Sequence, residues 1–192
     1  FGFEFSEEGA DVSDLLSVVK YEPPVSAQLA GKVRGSFPGF LKRTDEERVQ
    51  NIVNLLPTFQ GVEFYITEKL DGTSATFYNK DGQFGVCSRN LDLLETEGNT
   101  HWEIAKRYFL NEILPDNFCI QGEIIGEGIQ NNPLKVKGHE LYVFNVYKID
   151  TGEYLNLEEV EEVCETLGLK MVPVIARGQD VDSSIEDLLR SA

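Results

Sequence analysis

Two Asp-Gly pairs constrain the first half of this chain more than any other feature. Asp71-Gly72 and Asp81-Gly82 each lie between runs rich in β-branched and aromatic residues. Such pairs accept the left-handed backbone that a two-residue turn between strands demands. The spacing predicts strands over Val62–Lys69, Ser74–Asn79 and Gln83–Ser88. Lys80-Asp81-Gly82 has polar surroundings and reads as an ordinary hairpin turn. Lys69-Leu70-Asp71-Gly72 reads two ways. It is either a second hairpin, or an amine, a carboxylate and a conformationally free glycine brought together for chemistry. A lysine ending a buried strand is partly desolvated, which disfavours the ammonium and exposes a nucleophilic amine. The carboxylate two residues later can hold a hard cation near it.

Further along, Thr44-Asp45-Glu46-Glu47 has the form of a capping box and predicts a helix to about Leu56, stopped by Pro57. Thr100-His101-Trp102-Glu103 predicts a second helix, with Trp102, Ile104, Ala105, Tyr108 and Phe109 on one apolar face. Phe118–Ile125 and Glu140–Ile149 read as buried strands. Asn156 with Glu159 opens a helix ending at Gly168, Met171–Ile175 is a strand, and Ser183-Ser184-Ile185-Glu186 starts a last short helix. Strands cluster before helices without regular βαβ alternation. That order predicts an α+β fold with mainly antiparallel sheets and flanking helices. Residues 1–30, with an apolar stretch from Leu15 to Val19 before Glu22-Pro23-Pro24, read as a lead-in or linker, and 31–192 as the main domain.

Composition narrows the class. The 192 residues carry a net charge of −16, which counts against a surface that wraps nucleic acid unaided. Residues 31–43 run against that balance, with four basic residues, no acids and two phenylalanines. This segment is either a loop that contacts phosphates and stacks on bases, or a solvated loop with two anchoring aromatics. Cys87, Cys119 and Cys164 are odd in number and far apart, as reduced thiols of an intracellular protein would be, and their spacing fits no zinc site. No apolar run approaches the roughly 20 residues of a membrane span, so no membrane partner is expected.

Candidate partners for Lys69 recur down the chain. Arg89, in Ser88-Arg89-Asn90, ends a strand and could fork onto phosphate or ribose oxygens, or be a plain surface charge. Glu123 interrupts the apolar run Gln121-Gly122-Glu123-Ile124-Ile125, and a buried carboxylate is costly unless paired or bound to a cation. Gly122 beside it permits close approach of a ligand or of backbone. In Leu141–Tyr147, strict alternation places Tyr142, Phe144 and Val146 on one face and Val143, Asn145 and Tyr147 on the other. An aromatic there stacks on a purine or packs the core.

In order and spacing, Glu-Lys-Leu-Asp-Gly, Ser-Arg-Asn, Gly-Glu and Tyr-Val-Phe-Asn-Val resemble the covalent nucleotidyltransferase superfamily of DNA ligases, RNA ligases and mRNA capping enzymes. Within it the chain is most similar to ATP-dependent RNA ligases. Lys20-Tyr21-Glu22-Pro23-Pro24, Thr44-Asp45-Glu46-Glu47-Arg48, Arg89-Asn90-Leu91-Asp92-Leu93 and Glu127 to Lys135 add to the likeness, which runs from about Lys20 to Ile175.

The resemblance implies an ATP-grasp-like adenylation domain. Lys69 would attack the α-phosphorus of ATP, expel pyrophosphate and hold AMP as a phosphoramidate, which then passes to an RNA 5′-phosphate before strand sealing. It implies that Asp71 and Glu123 orient Mg²⁺ or Mn²⁺, that Glu123 could instead contact the ribose, and that Arg89 binds ribose or phosphate oxygens. Phe144 would stack on adenine, the backbone beside Glu68 would read the adenine edge, Leu70 would also bind the nucleotide, and Arg48, on a helix before the motif, would contact the outgoing phosphates. The partners implied are ATP and RNA ends or nicked duplex, met through an N-terminal OB-type domain, with the chain a monomer. The pattern breaks late. No Glu-Gly-hydrophobic-Val element and no following Lys-x-Lys strand come after Phe144. Lys135-Val136-Lys137 precedes the aromatic strand, so chain order excludes it. The expectation is therefore a transferase domain truncated toward its C-terminus. A DNA ligase, a capping guanylyltransferase and a non-catalytic nucleotide- or RNA-binding module of the same fold are the alternatives.

Overall fold

The computed structural model describes residues 16–17 and 31–180. The chain divides into two units, residues 1–30 and 31–192, and all described strands and helices belong to the second. The lead-in reading of residues 1–30, bar a turn at Leu16-Ser17, and the helix expected from Ser183 lie outside the described residues. In chain order the elements are β1 (Val33–Ser36), two 3-10 turns (Val49–Asn51 and Val53–Phe59), β2 (Gln60–Thr67), β3 (Thr73–Lys80), β4 (Gln83–Cys87), β5 (Leu91–Leu93), α1 (Thr100–Arg107), α2 (Leu110–Ile113), β6 (Phe118–Gly126), β7 (His139–Lys148), β8 (Glu153–Tyr154), α3 (Leu157–Leu167), β9 (Lys170–Met171) and β10 (Val174–Asp180).

The fold is α+β. The main sheet runs β1-β5-β4-β3-β6-β7-β8, with β9 added beside β7, and β2 pairs with β10 in a separate two-stranded ribbon. Every pairing is antiparallel except β7 with β9. Helices cover one face of the main sheet. There Phe77, Val86, Ile120, Ile124, Leu141 and Val146 pack on Trp102, Ile104, Leu110 and Val160. On the opposite face Phe37 and Leu41, from the segment after β1, close over Tyr78, Cys87, Cys119 and Tyr147. All three cysteines are free and buried.

Local signals explain much of this layout. Asp81 and Gly82 both take positive φ (53° and 71°) and close the β3–β4 hairpin, as the mirror-image two-residue turn requires. Asn156 and Glu159 form the reciprocal capping box of α3, and Gly168 ends that helix in the left-handed conformation, φ 65°.

Five expectations change. The Lys69–Gly72 segment is no hairpin, because β2 pairs β10 whereas β3 pairs β4 and β6. It is a crossover between two sheets. The helix expected from Thr44 to Leu56 is instead an extended segment followed by 3-10 turns, and Pro57 lies inside the second of them. The Thr44 hydroxyl is drawn to Ser74, 3.1 Å away, so it caps nothing. The cap of α1 is Asn99, which accepts from the His101 and Trp102 N–H groups, and Phe109 leaves the apolar face, 59% exposed at φ 54°. The expected strand Met171–Ile175 is split by Val172-Pro173 between β9 and β10, in different sheets. Alternation along β7 also breaks. Gly122 faces Val143 while Gln121 faces Asn145, so Phe144 is the extra residue of a bulge. Val146 therefore joins Leu141 and Val143 in the helix-covered core, and Tyr147 turns to the opposite face.

Candidate active site

The crossover from β2 to β3 is held at three points. Leu70 is buried against Ile125 and Val172, with Val136, Tyr142, Phe144 and Met171 packed around them. The Gly72 N–H donates to Glu123 Oε1 at 3.0 Å, and the Gly72 carbonyl accepts from Gln130 Nε2 at 3.3 Å. Before the crossover, the Glu68 N–H donates to the Pro173 carbonyl at 2.9 Å and ties the segment to the ribbon. Gly72 is required by close approach. A Cβ there would lie 2.3 Å from the Ile124 carbonyl oxygen and 2.7 Å from Ile125 Cγ2. With Leu70 anchored inward, its neighbours Lys69 and Asp71 are both exposed. This corrects the expectation of an amine desolvated by a buried strand, since β2 is a largely exposed ribbon strand.

Glu123 lies opposite Ser74 in the β3–β6 register and opposite Tyr142 in β6–β7. Burial pushes its carboxyl above the ordinary carboxylate range. The Gly72 N–H and the charges of Lys69 and Arg89 pull it back, while Asp71 adds to the rise. Lys69, Asp71, Arg89 and Glu123 thus share one electrostatic neighbourhood. Two carboxylates near each other are a donor pair suited to a divalent cation, which would relieve what burial costs Glu123. Among the described residues there is no ready-made group of three or more acid, His or Cys ligands. The cation's remaining ligands would be water and substrate, as suits a small hard ion.

Phe144 is half-buried beside Leu70. Arg89 is exposed and paired with Asp45. Leu70 turns its side chain into the core, leaving only its backbone to line a ligand. Arg48 stands exposed at the head of the first 3-10 turn rather than on a helix, and among the described contacts none joins its guanidinium to Lys69 or Glu123. Gly122 does serve close approach, but to β7: a Cβ there would lie 2.6 Å from the Tyr142 carbonyl.

Four residues join the site that sequence reasoning left aside. Thr44 and Ser74 pin residues 43–48 over the sheet. His101, half-buried and with its pKa lowered by desolvation, lies 3.1 Å from the Ser74 carbonyl through Nε2, which must be the donor. Gln130 clamps Gly72. Thr44 and Gln130 fall within the stretches that carried the family likeness; Ser74 and His101 gave no signal.

The model of the family described as RNA ligase matches residues 62–191, about two thirds of the chain. The chain belongs to the RNA ligase family. Among solved structures it is similar to Naegleria gruberi RNA ligase in several states. A lysine-to-alanine mutant with ATP and Mn is 39% identical, with a TM-score of 0.79, over 96% of this chain and 56% of that one. A lysine-to-methionine mutant with AMP and Mn is also 39% identical, TM-score 0.80, over 97% and 58%. The ligase with PPi gives 39% and 0.78 over 96% and 57%. The chain thus spans less than two thirds of the length of these ligases. No curated protein matches it.

Proposed function

We propose that this chain is the adenylate-accepting core of an ATP-dependent RNA ligase. The observation that carries the reading is the convergence of Lys69, Asp71 and Arg89 on Glu123, at a crossover clamped through Gly72. The ligands of the Naegleria ligase structures support it: ATP, AMP and PPi are the substrate, transferred group and leaving group of one adenylation reaction. In this reading the Lys69 amine, once it has lost its proton, attacks the α-phosphorus of ATP. The N–P bond forms as the bond to the bridging oxygen breaks, and pyrophosphate leaves. The AMP then passes to an RNA 5′-phosphate, and a 3′-hydroxyl displaces it to seal the strand.

Asp71 and Glu123 would hold Mg²⁺ or Mn²⁺, which when bound neutralises α-phosphate charge and disfavours the ammonium. Arg89 exchanges Asp45 for ribose or phosphate oxygens of the nucleotide, a bidentate pairing suited to its planar fork. Phe144 stacks on adenine. The bond from Glu68 N–H to Pro173 fixes the backbone that borders the base, and Arg48 meets the departing pyrophosphate.

The test is transfer of label from α-labelled ATP with Mn²⁺ to the protein, read after denaturing electrophoresis. The expected result is labelled protein whose bond is cleaved by acid and kept in alkali, absent in Lys69→Ala. Absence of label under conditions that label the Naegleria ligase would overturn the proposal. Label from GTP rather than ATP would instead favour a capping guanylyltransferase.

A further inference from the structure

The adenylation chemistry leaves unused the basic, aromatic segment after β1. Of its two phenylalanines, Phe37 is buried at 8% while Phe40 stands 48% exposed. Phe40 meets Tyr78 in a T-shaped contact, ring centroids 5.5 Å apart, with about half of its own surface still open to solvent. Arg34 reaches the same Tyr78 hydroxyl at 3.5 Å and Asp92 at 3.4 Å, yet its side chain stays 46% exposed. Arg43 lies over the Phe37 ring at 5.4 Å and donates to the neutral Asn90 side chain at 2.8 Å, next to Arg89. Three guanidinium groups and one exposed ring therefore form a continuous strip on a chain whose net charge is −16.

This strip opens into the adenylation site. Tyr78, under Phe40, and Ser74, opposite Glu123, share one face of β3 four residues apart, so about 13 Å separates them. Arg89 belongs to both ends of the path, since its carbonyl accepts from Arg43 at 3.5 Å on one side and its charge acts on Glu123 on the other. A strand whose terminal phosphate meets Lys69-bound AMP would cross this strip with its first nucleotides. Cationic forks spaced around an exposed aromatic suit an unpaired strand, whose phosphates take the arginines and whose bases have free faces to stack.

We propose that residues 34–43 form the seat for single-stranded RNA adjoining the end to be adenylated, with Phe40 stacking on a base and Arg43 and Arg34 holding phosphates. This rests on the reading of the chain as an RNA ligase core. The occupant follows from charge complementarity and from continuity with the site.

Fluorescence anisotropy with a labelled, 5′-phosphorylated single-stranded RNA tests it, without ATP. Phe40→Ala weakens binding about tenfold, the loss of one base stack, whereas Phe40→Tyr stays within about twofold. Arg43→Ala weakens binding and flattens the slope of log affinity against log salt by about 0.7, one phosphate contact. Self-adenylation of all three variants equals that of the unaltered chain, which also shows that they fold. The inference is overturned if the unaltered chain does not bind the RNA, or if Phe40→Ala and Arg43→Ala bind it as the unaltered chain does. RNA binding that responds to Phe40 in a chain that takes no label from ATP would sink the adenylation reading and leave this seat standing.

Discussion

Gly72 concentrates the residue-scale logic of the site. Its N–H holds Glu123, its carbonyl is held by Gln130, and its missing side chain lets β3 start against β6. Gly72→Ala would push a methyl into the Ile124 carbonyl, a backbone atom that cannot step aside. The expected cost is about 1–3 kcal/mol of unfolding free energy, read by urea denaturation, together with loss of self-adenylation at temperatures where the variant remains folded. At this scale the sequence was legible where chemistry requires a residue type. Lys69, Asp71 and Glu123 were all candidates because a nucleophile and paired carboxylates stand out against strand-forming neighbours. Exposure was not legible. Lys69 looked buried because Tyr65-Ile66-Thr67 is apolar and β-branched, but β2 pairs only with β10 and is largely exposed.

At the scale of elements, reading succeeded where termination is local. The α3 capping box with its Gly168 stop, and the Asp81-Gly82 hairpin, are decided within a few residues. It failed where a distant group claims a local signal. Thr44 has the spacing of a helix cap, but Ser74, thirty residues away, takes its hydroxyl. The bulge at Phe144 is likewise invisible in a strict alternation, since it exists only in the register with Gln121 and Gly122. It decides which side chains reach the core, because past it Val146 moves to the helix-covered face and Tyr147 to the opposite one.

The parallel pairing of β9 with β7 carries its own electrostatic clamp. Lys170 donates to Glu140 at 2.8 Å, which holds the Glu140 carboxyl below its ordinary range and Lys170 above its own. A depressed carboxyl stabilises the fold above its unfolded pKa of about 4.3 and loses that contribution as pH falls through the lower folded value. Glu140→Gln should therefore cost less than about 1 kcal/mol at pH 7, as for partly exposed pairs. The difference from the unaltered chain should vanish in denaturation curves taken well below pH ~4.

For the whole molecule, the feature that assembles the candidate site is the meeting of two sheets. Neither the ribbon nor the main sheet holds the site alone. The crossover between them places Lys69 and Asp71 beyond β2, while Glu123 on β6 and Arg89 after β4 come from the two flanks of β3. Order and spacing along the chain disclosed the family, but not this crossover. A hairpin and a sheet-to-sheet passage share the same Asp-Gly signal and differ only in which strands are hydrogen-bonded. Among the described residues no helix covers the face bearing Ser74, Tyr78 and Glu123; Phe37 and Leu41 lie over part of it instead, and Thr44 reaches Ser74.

The central claim is that Lys69 accepts AMP, and peptide mapping by mass spectrometry after incubation with ATP and Mn²⁺ tests it most directly. The account predicts a single adenylated peptide, with the adduct on the Lys69 side chain and none in Lys69→Ala. An adduct on Lys80 or any other residue would contradict it, as would an unmodified chain where Naegleria RNA ligase is adenylated in parallel.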